Sequence, residues 1–382
     1  MHIAFITPEY PHPRVAKAAG IGTSIKNVIT ALQQHTTEKL QFTLFIYGQQ
    51  EQAQFEEDGI NFHLIKKRSY RFGGFYWYRK HINHYVNTIV KKTAIDCIEA
   101  PDWTGITAFM RFKVPLVIRL HGTDTYFCDL EKRQLKKKNY YFERNALQKA
   151  TAIVSVSQFT AQRTQELFRL QKSITVIHNS IDLDQFKPDN EAATSNSILY
   201  FGSLIKKKGV LALAKTFNLV IEKDPTVTWT LLGKDVIDNQ TGKSTLALVK
   251  DILSRNAKEQ ITHIPHVPYK QVKAHLQLAG VICLPSYAEA FPMTWLEAMA
   301  MEKALVTSNI GWAKELMIHE ETGLMVHPDN TDELANVLLH VLQDKKQAVT
   351  YGKAARKQLM RNFATTHIAQ QNLELYQKLL TD

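Results

Sequence analysis

Two glutamates, Glu289 and Glu297, stand in the stretch Pro285-Ser286-Tyr287-Ala288-Glu289-Ala290-Phe291-Pro292-Met293-Thr294-Trp295-Leu296-Glu297-Ala298-Met299-Ala300-Met301. The residues before it, Gly280 to Leu284, are apolar and stop at a proline, which predicts a buried strand ending in a loop. Pro292 suits the first turn of a helix, and Leu296, Met299 and Ala300 make an inward stripe. Glu289 then lies in the loop and Glu297 on about the second turn. Between them come the free backbone N–H groups of a helix N-terminus, which attract phosphate. An anion cradle flanked by two hydroxyl-binding carboxylates suits a sugar nucleotide better than a bare phosphate. The plain alternative is a strand–loop–helix unit whose glutamates face water, the ordinary place for Glu.

The elements that must position such a site read as alternating strands and helices. His2 to Thr7 is a short apolar strand, and Ala19-Gly20-Ile21-Gly22-Thr23-Ser24 leads into a helical pattern through Ile25, Val28, Ile29 and Leu32. Strand, glycine loop and helix form the phosphate-facing start of a Rossmann-like unit, although the spacing is not Gly-x-Gly-x-x-Gly. Strands are expected over 40–47, 61–65, 95–99, 116–120 and 152–156, and helices over 75–90, 105–112 and 131–150. That alternation indicates a parallel, doubly wound sheet. Residues just past a parallel strand's carboxyl end face the ligand crevice, which singles out His121 in Arg119-Leu120-His121-Gly122. Residues 185–197 read as a linker. A second α/β domain starts near Ile198, with Lys206-Lys207-Lys208-Gly209 opening a helix where cations would hold a diphosphate. Further strands are expected over 228–233, 261–267, 281–284 and 304–308, and the last helices over 332–342, 347–361 and 368–380. Thr241-Gly242-Lys243-Ser244 imitates the end of a P-loop, but Ile237 stands where the motif needs glycine, so that reading is rejected.

Taken in order, these phrases resemble the family-four (group 1) retaining glycosyltransferases of the GT-B fold. The likeness runs through Ala19-Gly20-Ile21-Gly22-Thr23, Ile98-Glu99-Ala100-Pro101-Asp102-Trp103, Arg119-Leu120-His121 and Val176-Ile177-His178-Asn179-Ser180-Ile181-Asp182. It continues in Gly202-Ser203-Leu204 with Lys208-Gly209, in the Glu-x7-Glu stretch, and in Thr322-Gly323-Leu324-Met325-Val326-His327-Pro328. Asp182-Leu183-Asp184 spells a metal-binding Asp-x-Asp, but its place in the fourth phrase accounts for it better. The resemblance implies two Rossmann-like domains facing across a cleft: 1–184 on the acceptor side, 185–363 on the nucleotide-sugar side, with a C-terminal helix, 364–382, crossing back. It implies transfer of a sugar from a nucleotide-diphosphate donor with retention and without a metal or other cofactor. Glu297 would bind the ribose, Glu289 the donor sugar, and the N–H groups around Phe291, Pro292, Met293 and Thr294 the phosphates. Lys208 would neutralise the leaving diphosphate, with Lys206 or Lys207 compensating for an absent arginine. Gly20, Gly22 and His121 would act from the other domain. Ser203 stands where the family has an arginine, so the usual Arg–Lys clamp is incomplete.

Composition bounds the rest. The chain has 382 residues, 45% hydrophobic and 22% charged, ordinary globular material. Cys97, Cys128 and Cys283 stand apart in sequence and read as buried free thiols in a reducing compartment. No apolar run approaches the roughly 20 residues of a membrane span, and Met1 runs straight into a strand pattern, so the expected location is cytoplasmic, peripheral at the membrane's inner face. The net charge is +11, and residues 1–190 carry 26 Lys and Arg against 17 Asp and Glu. Lys66 to Lys80, and Lys132 to Phe142, interleave basic and aromatic side chains. They suit an anionic membrane surface and a glycan or lipid-linked acceptor, as in bacterial surface polysaccharide synthesis. A solvated helix face is the bland reading. Two other functions stay open: a catalytically silent sugar-nucleotide binder, given Ser203, and a protein binding nucleic acid through the basic stretches. The latter would leave the carboxylate pair idle, so no nucleic-acid partner is expected.

Overall fold

The computed structural model describes residues 1–189 and 195–381. The chain divides into two compact units, Met1–Ser180 with Thr365–Asp382, and Ile181–Ala364. The division after Ser180 lies a few residues before the sequence-based boundary, and part of the expected linker, residues 190–194, lies outside the described residues.

The first unit runs β1 (His2–Thr7), α1 (Gly20–His35), β2 (Gln41–Gln49), β3 (Ala53–Glu57), β4 (Ile60–Lys66), α2 (Gly74–Thr93), β5 (Cys97–Pro101), β6 (Leu116–Leu120), α3 (Asp124–Leu130), α4 (Lys137–Lys149), β7 (Ala152–Ser155), α5 (Gln158–Phe168) and β8 (Ile174–Val176). Its eight strands lie in the order β3-β4-β2-β1-β5-β6-β7-β8. All pairs are parallel except β3 with β4, a hairpin at the edge. β3 escaped the sequence analysis because its alternation rests on Ala53 and Phe55 alone, too short a run to stand out from a polar loop. Alternate residues of β1 serve opposite cores. Ile3 and Phe5 join α1 on one face, while Ala4 and Ile6 join Ile82, Val86 and Ala146 on the other.

Two expected helices differ. Residues 105–112 form no helix. A 3-10 turn at Trp103–Gly105 takes left-handed backbone at Thr104 (φ 49°) and Gly105 (φ 56°), and Phe109 does so again (φ 64°). Such reversals of hand break the helical hydrogen-bond ladder. Residues 131–150 hold α4 only, because the preceding chain ends α3 at Leu130 and turns at Lys132 (φ 50°).

The second unit runs β9 (Ser197–Phe201), α6 (Val210–Lys223), β10 (Thr228–Leu232), α7 (Thr245–Ile252), α8 (Arg255–Glu259), β11 (Ile261–Ile264), α9 (Tyr269–Leu278), β12 (Val281–Leu284), α10 (Met293–Ala300), β13 (Leu305–Thr307), α11 (Ala313–Leu316), β14 (Leu324–Met325), α12 (Thr331–Gln343) and α13 (Lys345–Asn362). Its sheet is parallel, in the order β11-β10-β9-β12-β13-β14, the doubly wound arrangement that reverses between β9 and β12. The closing helix α14 (Thr365–Thr381) belongs to the first unit, where Ile368, Ala369, Leu373 and Tyr376 enter the core beside α1. Among the described residues no helix is long and apolar enough to cross a membrane.

Candidate active site

The carboxyl ends of β9 and β12 meet at the reversal point of the second sheet, and two loops rise from them. After β9 the chain passes Gly202 and Ser203 and makes a 3-10 turn at Lys206–Lys208 before α6. The three lysines therefore precede the helix and do not form its first turn. Gly209 adopts φ 74°, and a Cβ there would stand 1.9 Å from the carbonyl oxygen of Pro285. This glycine lets the lysine turn lie against the Glu-x7-Glu loop. The Tyr287 backbone N–H donates to the Lys207 carbonyl (2.8 Å) and fixes the contact. Gly202 (φ 123°) faces the same space: a side chain there would meet Lys208 Nζ at 3.6 Å and Thr294 Cγ2 at 3.8 Å.

Lys208 Nζ lies 3.2 Å from Glu289 Oε1, which also accepts from the Ser286 hydroxyl at 3.1 Å. Glu297 accepts from the Tyr269 hydroxyl at 2.8 Å. Burial pushes the Glu297 carboxyl up to about 7, against the Tyr269 hydrogen bond and the Lys208 charge, which favour the ionised form. Lys208 thus acts on both glutamates. α10 begins at Met293, with Pro292 at the N-cap and no side-chain cap, so its first turn carries the N–H groups of a helix start next to the loop. Pro292 sits one position earlier than the expected first turn. The stripe of Leu296, Met299 and Ala300 is buried as expected, together with Trp295, Glu297 and Ala298. Phe291 is buried against Phe363, with ring centroids 5.4 Å apart, which anchors the loop. Ser203 is exposed at the end of β9, and its carbonyl accepts from Tyr200. Lys206 is drawn to Gln240 Oε1 (2.9 Å).

The remaining sequence candidates lie in the first unit. His121 follows β6, and its N–H and that of Gly122 both donate to the buried Asp102 carboxylate, at 3.0 and 3.1 Å. Burial pushes the His121 imidazole down to about 3, with the Arg119 charge adding to it, so the ring is neutral. Burial pushes Asp102 up to about 8, opposed by these backbone donors. Gly20 is exposed at the start of α1. Gly22 is buried, and a Cβ there would come within 2.8 Å of the Glu9 carbonyl oxygen. The Gly22 N–H donates to the Glu9 carboxylate (3.1 Å), so the chain's own anion occupies part of this helix start.

Sequence reasoning missed Tyr269, Asp102 and Glu9. Their partners lie far away in sequence, and only the Asp102 phrase carried a signal. The two rejected motifs have structural explanations. Asp182 Oδ1 accepts from the N–H groups of Asp184 and Gln185, a local turn. Thr241 is bonded to Asp238, and Ser244 caps α7. Among the described residues no group of three or more His, Cys, Asp or Glu side chains is placed to hold a metal ion.

Two Rossmann-like units with this second-unit switch point define the GT-B class of fold. Residues 18–185 match the family described as Glycosyltransferase Family 4, and residues 182–358 match Glycosyl transferases group 1. The chain belongs to this group 1, family-four type of glycosyltransferase. The capsular polysaccharide biosynthesis glycosyltransferase CapM of Staphylococcus aureus is 24% identical over 258 residues, covering 64% of this chain and 66% of that one. Among solved structures, the sucrose-phosphate synthase of Thermosynechococcus elongatus superposes with a TM-score of 0.83 at 20% identity, over 100% of this chain and 99% of that one. HepE of Anabaena, solved with UDP-glucose, gives 0.75 at 18%, over 99% and 100%.

Proposed function

We propose that the chain transfers a sugar from a nucleotide-diphosphate donor to a glycan or lipid-linked acceptor in bacterial surface polysaccharide synthesis, with retention and without a metal. The observation that carries this is Lys208 set beside Glu289 and acting on Glu297, at the switch point next to the uncapped start of α10. The donor diphosphate draws Lys208 from Glu289 and takes N–H groups of Met293 and Thr294. Glu289 is freed to accept from the sugar's hydroxyls, and Glu297 from the ribose diol. In the reaction the bond from the anomeric carbon to the β-phosphate oxygen breaks. The acceptor oxygen bonds to the same face of that carbon, and its proton passes to the departing phosphate. Lys208 meets the charge that develops there, a stabilisation of order several kcal/mol in a water-poor site. In the first unit the candidate groups are His121, neutral on the Asp102-bound turn and able to hydrogen-bond, and the loop at Gly20 and Gly22. The CapM and HepE names support the polysaccharide setting and the nucleotide sugar.

The test is a thermal-shift panel of UDP-, GDP- and ADP-sugars beside Glu297→Ala. One donor should stabilise the protein and fail to stabilise the variant. A panel with no shift would reject the donor site. Ser203, in place of the family's arginine, favours a second reading, a binder without turnover. Donor stabilisation with no sugar transferred to any acceptor, and no donor hydrolysis, would select it.

A further inference from the structure

The two basic, aromatic segments of the first unit are separated in sequence, yet they form one surface. The Phe75 ring of α2 stacks on Phe142 of α4 with centroids 5.3 Å apart. Tyr76 meets Phe109 at 5.6 Å, Phe109 meets Phe142 at 5.4 Å and Tyr141 at 6.3 Å, and Tyr76 meets Trp77 at 5.3 Å. The array is anchored from below. Arg79 is buried, donates to the carbonyls of Phe75, Thr104 and Gly105, and lies 4.8 Å from the Phe142 ring centre. Of the array's rings, Tyr141 is 58% and Trp77 54% exposed, and Phe72, in the loop just before α2 with Arg71 over its ring, is 77% exposed.

The charge of this surface has one sign. No Asp or Glu occurs between Asp58 and Asp96. The nearby carboxylates of α3 and α4 are committed internally: Glu143 takes the N–H groups of Asp124 and Thr125, and Asp124 takes Arg133 and Asn139. Lys66, Lys67, Arg68, Lys136 and Lys137 are exposed, and none forms an ion pair among the described residues. Lys138 lies 4.0 Å over Phe75 and Lys80 5.5 Å over Tyr76, so cations rim the rings.

We infer that this face of the first unit docks on an anionic lipid bilayer, with Phe72, Trp77 and Tyr141 entering the headgroup boundary and the lysines and arginines around them meeting lipid phosphates. Aromatic rings ringed by cations match that boundary, where the apolar part buries and the charged part stays wet. A neutral glycan is the poorer match for the charge, because its hydroxyls carry none to meet the lysines and arginines. The inference rests on the proposed lipid-linked or glycan acceptor and gives it a location: the membrane surface the first unit rests on.

The test is co-sedimentation of the full chain with vesicles of phosphatidylcholine alone, or of phosphatidylcholine with phosphatidylglycerol, at low and high salt. Phe72→Ser with Trp77→Ser, and Lys136→Gln with Lys137→Gln, are compared with Arg255→Gln in the second unit. Wild type and Arg255→Gln should bind the anionic vesicles about tenfold or more tightly than the neutral ones and release them at high salt. Both patch variants should lose most of that binding while keeping the donor-induced thermal shift, which separates this outcome from a failure of the donor site. Equal binding to both vesicle types, or none, overturns the inference. So does a single-stranded polynucleotide that displaces the vesicles and binds the Phe72/Trp77 variant as tightly as wild type.

Discussion

Glu297 carries opposing demands. A donor diol donates hydrogen bonds to an ionised carboxylate, while burial pushes the group up to about 7, and its raised value means the folded protein holds a proton that the unfolded chain would release. That contribution to stability is fully present at acid pH and is lost as pH rises through about 7. Glu297→Gln should therefore gain stability relative to wild type on going from pH 5.5 to 8, by about 1–3 kcal/mol, while losing donor binding. Urea unfolding at the two pH values reads the first, and thermal shift the second. A constant difference would mean that the carboxyl does not titrate there. Tyr269 tunes the same group. Tyr269→Phe removes the hydroxyl that favours the ionised form, so the pH midpoint of donor affinity should move upward, with the maximum affinity at high pH nearly kept. An unmoved midpoint would reduce Tyr269 to packing. Both glutamates were legible because their spacing on a loop and a helix is a local property. Tyr269 was not, since its hydroxyl reaches Glu297 across 28 residues of chain.

Elements explain how such groups stay placed. In the first unit, Arg119 on β6 makes two bonds to Glu99 on β5, at 2.7 and 2.9 Å, and a third to Asn372 on α14. Tyr376 donates to the same Glu99 at 2.8 Å. Glu99→Ala strands a buried guanidinium, and about 3–5 kcal/mol of stability should go with it. Tyr376→Phe leaves the ion pair whole and should cost only about 0.5–1.5 kcal/mol. Chemical denaturation ranks the two, and equal costs would contradict the network. In the second unit, Gly209→Ala forces a methyl into the Pro285 carbonyl from a left-handed backbone. It should cost about 2 kcal/mol or more and weaken donor binding by shifting Lys208. Strands β1, β6 and β12 were readable because short apolar runs bounded by proline, histidine or glycine need no distant information. The helix expected over 105–112 does not form because the left-handed backbone at its start, at Thr104 and Gly105, is stabilised by Arg79 and α4, which sequence order does not place beside it.

At the scale of the whole molecule, each unit has a core of its own, but the first is completed only by the end of the chain. Ile368, Leu373 and Tyr376 are each worth roughly 1.5–3 kcal/mol when buried. Truncation before Thr365 should therefore lower the unfolding transition of the first unit. The donor-stabilised transition of the second should remain, and calorimetry with and without donor would separate them. Loss of both transitions together would show that the units unfold as one.

By itself the sequence determined that two α/β units follow one another, which loops carry the glutamates, the lysine and the histidine, and that the first half is basic. These follow from apolar periodicity, from proline and glycine punctuation and from composition, all local along the chain. Only the tertiary structure decided that Lys208 bonds Glu289 and that Tyr269 governs Glu297. It also decided that Asp102 holds the His121 turn, and that Lys66–Lys80 and Lys132–Phe142 make one surface. Each of these contacts joins residues from separate elements. Their pairing depends on sheet order and backbone hand, set by the packing of all elements together and by no single stretch.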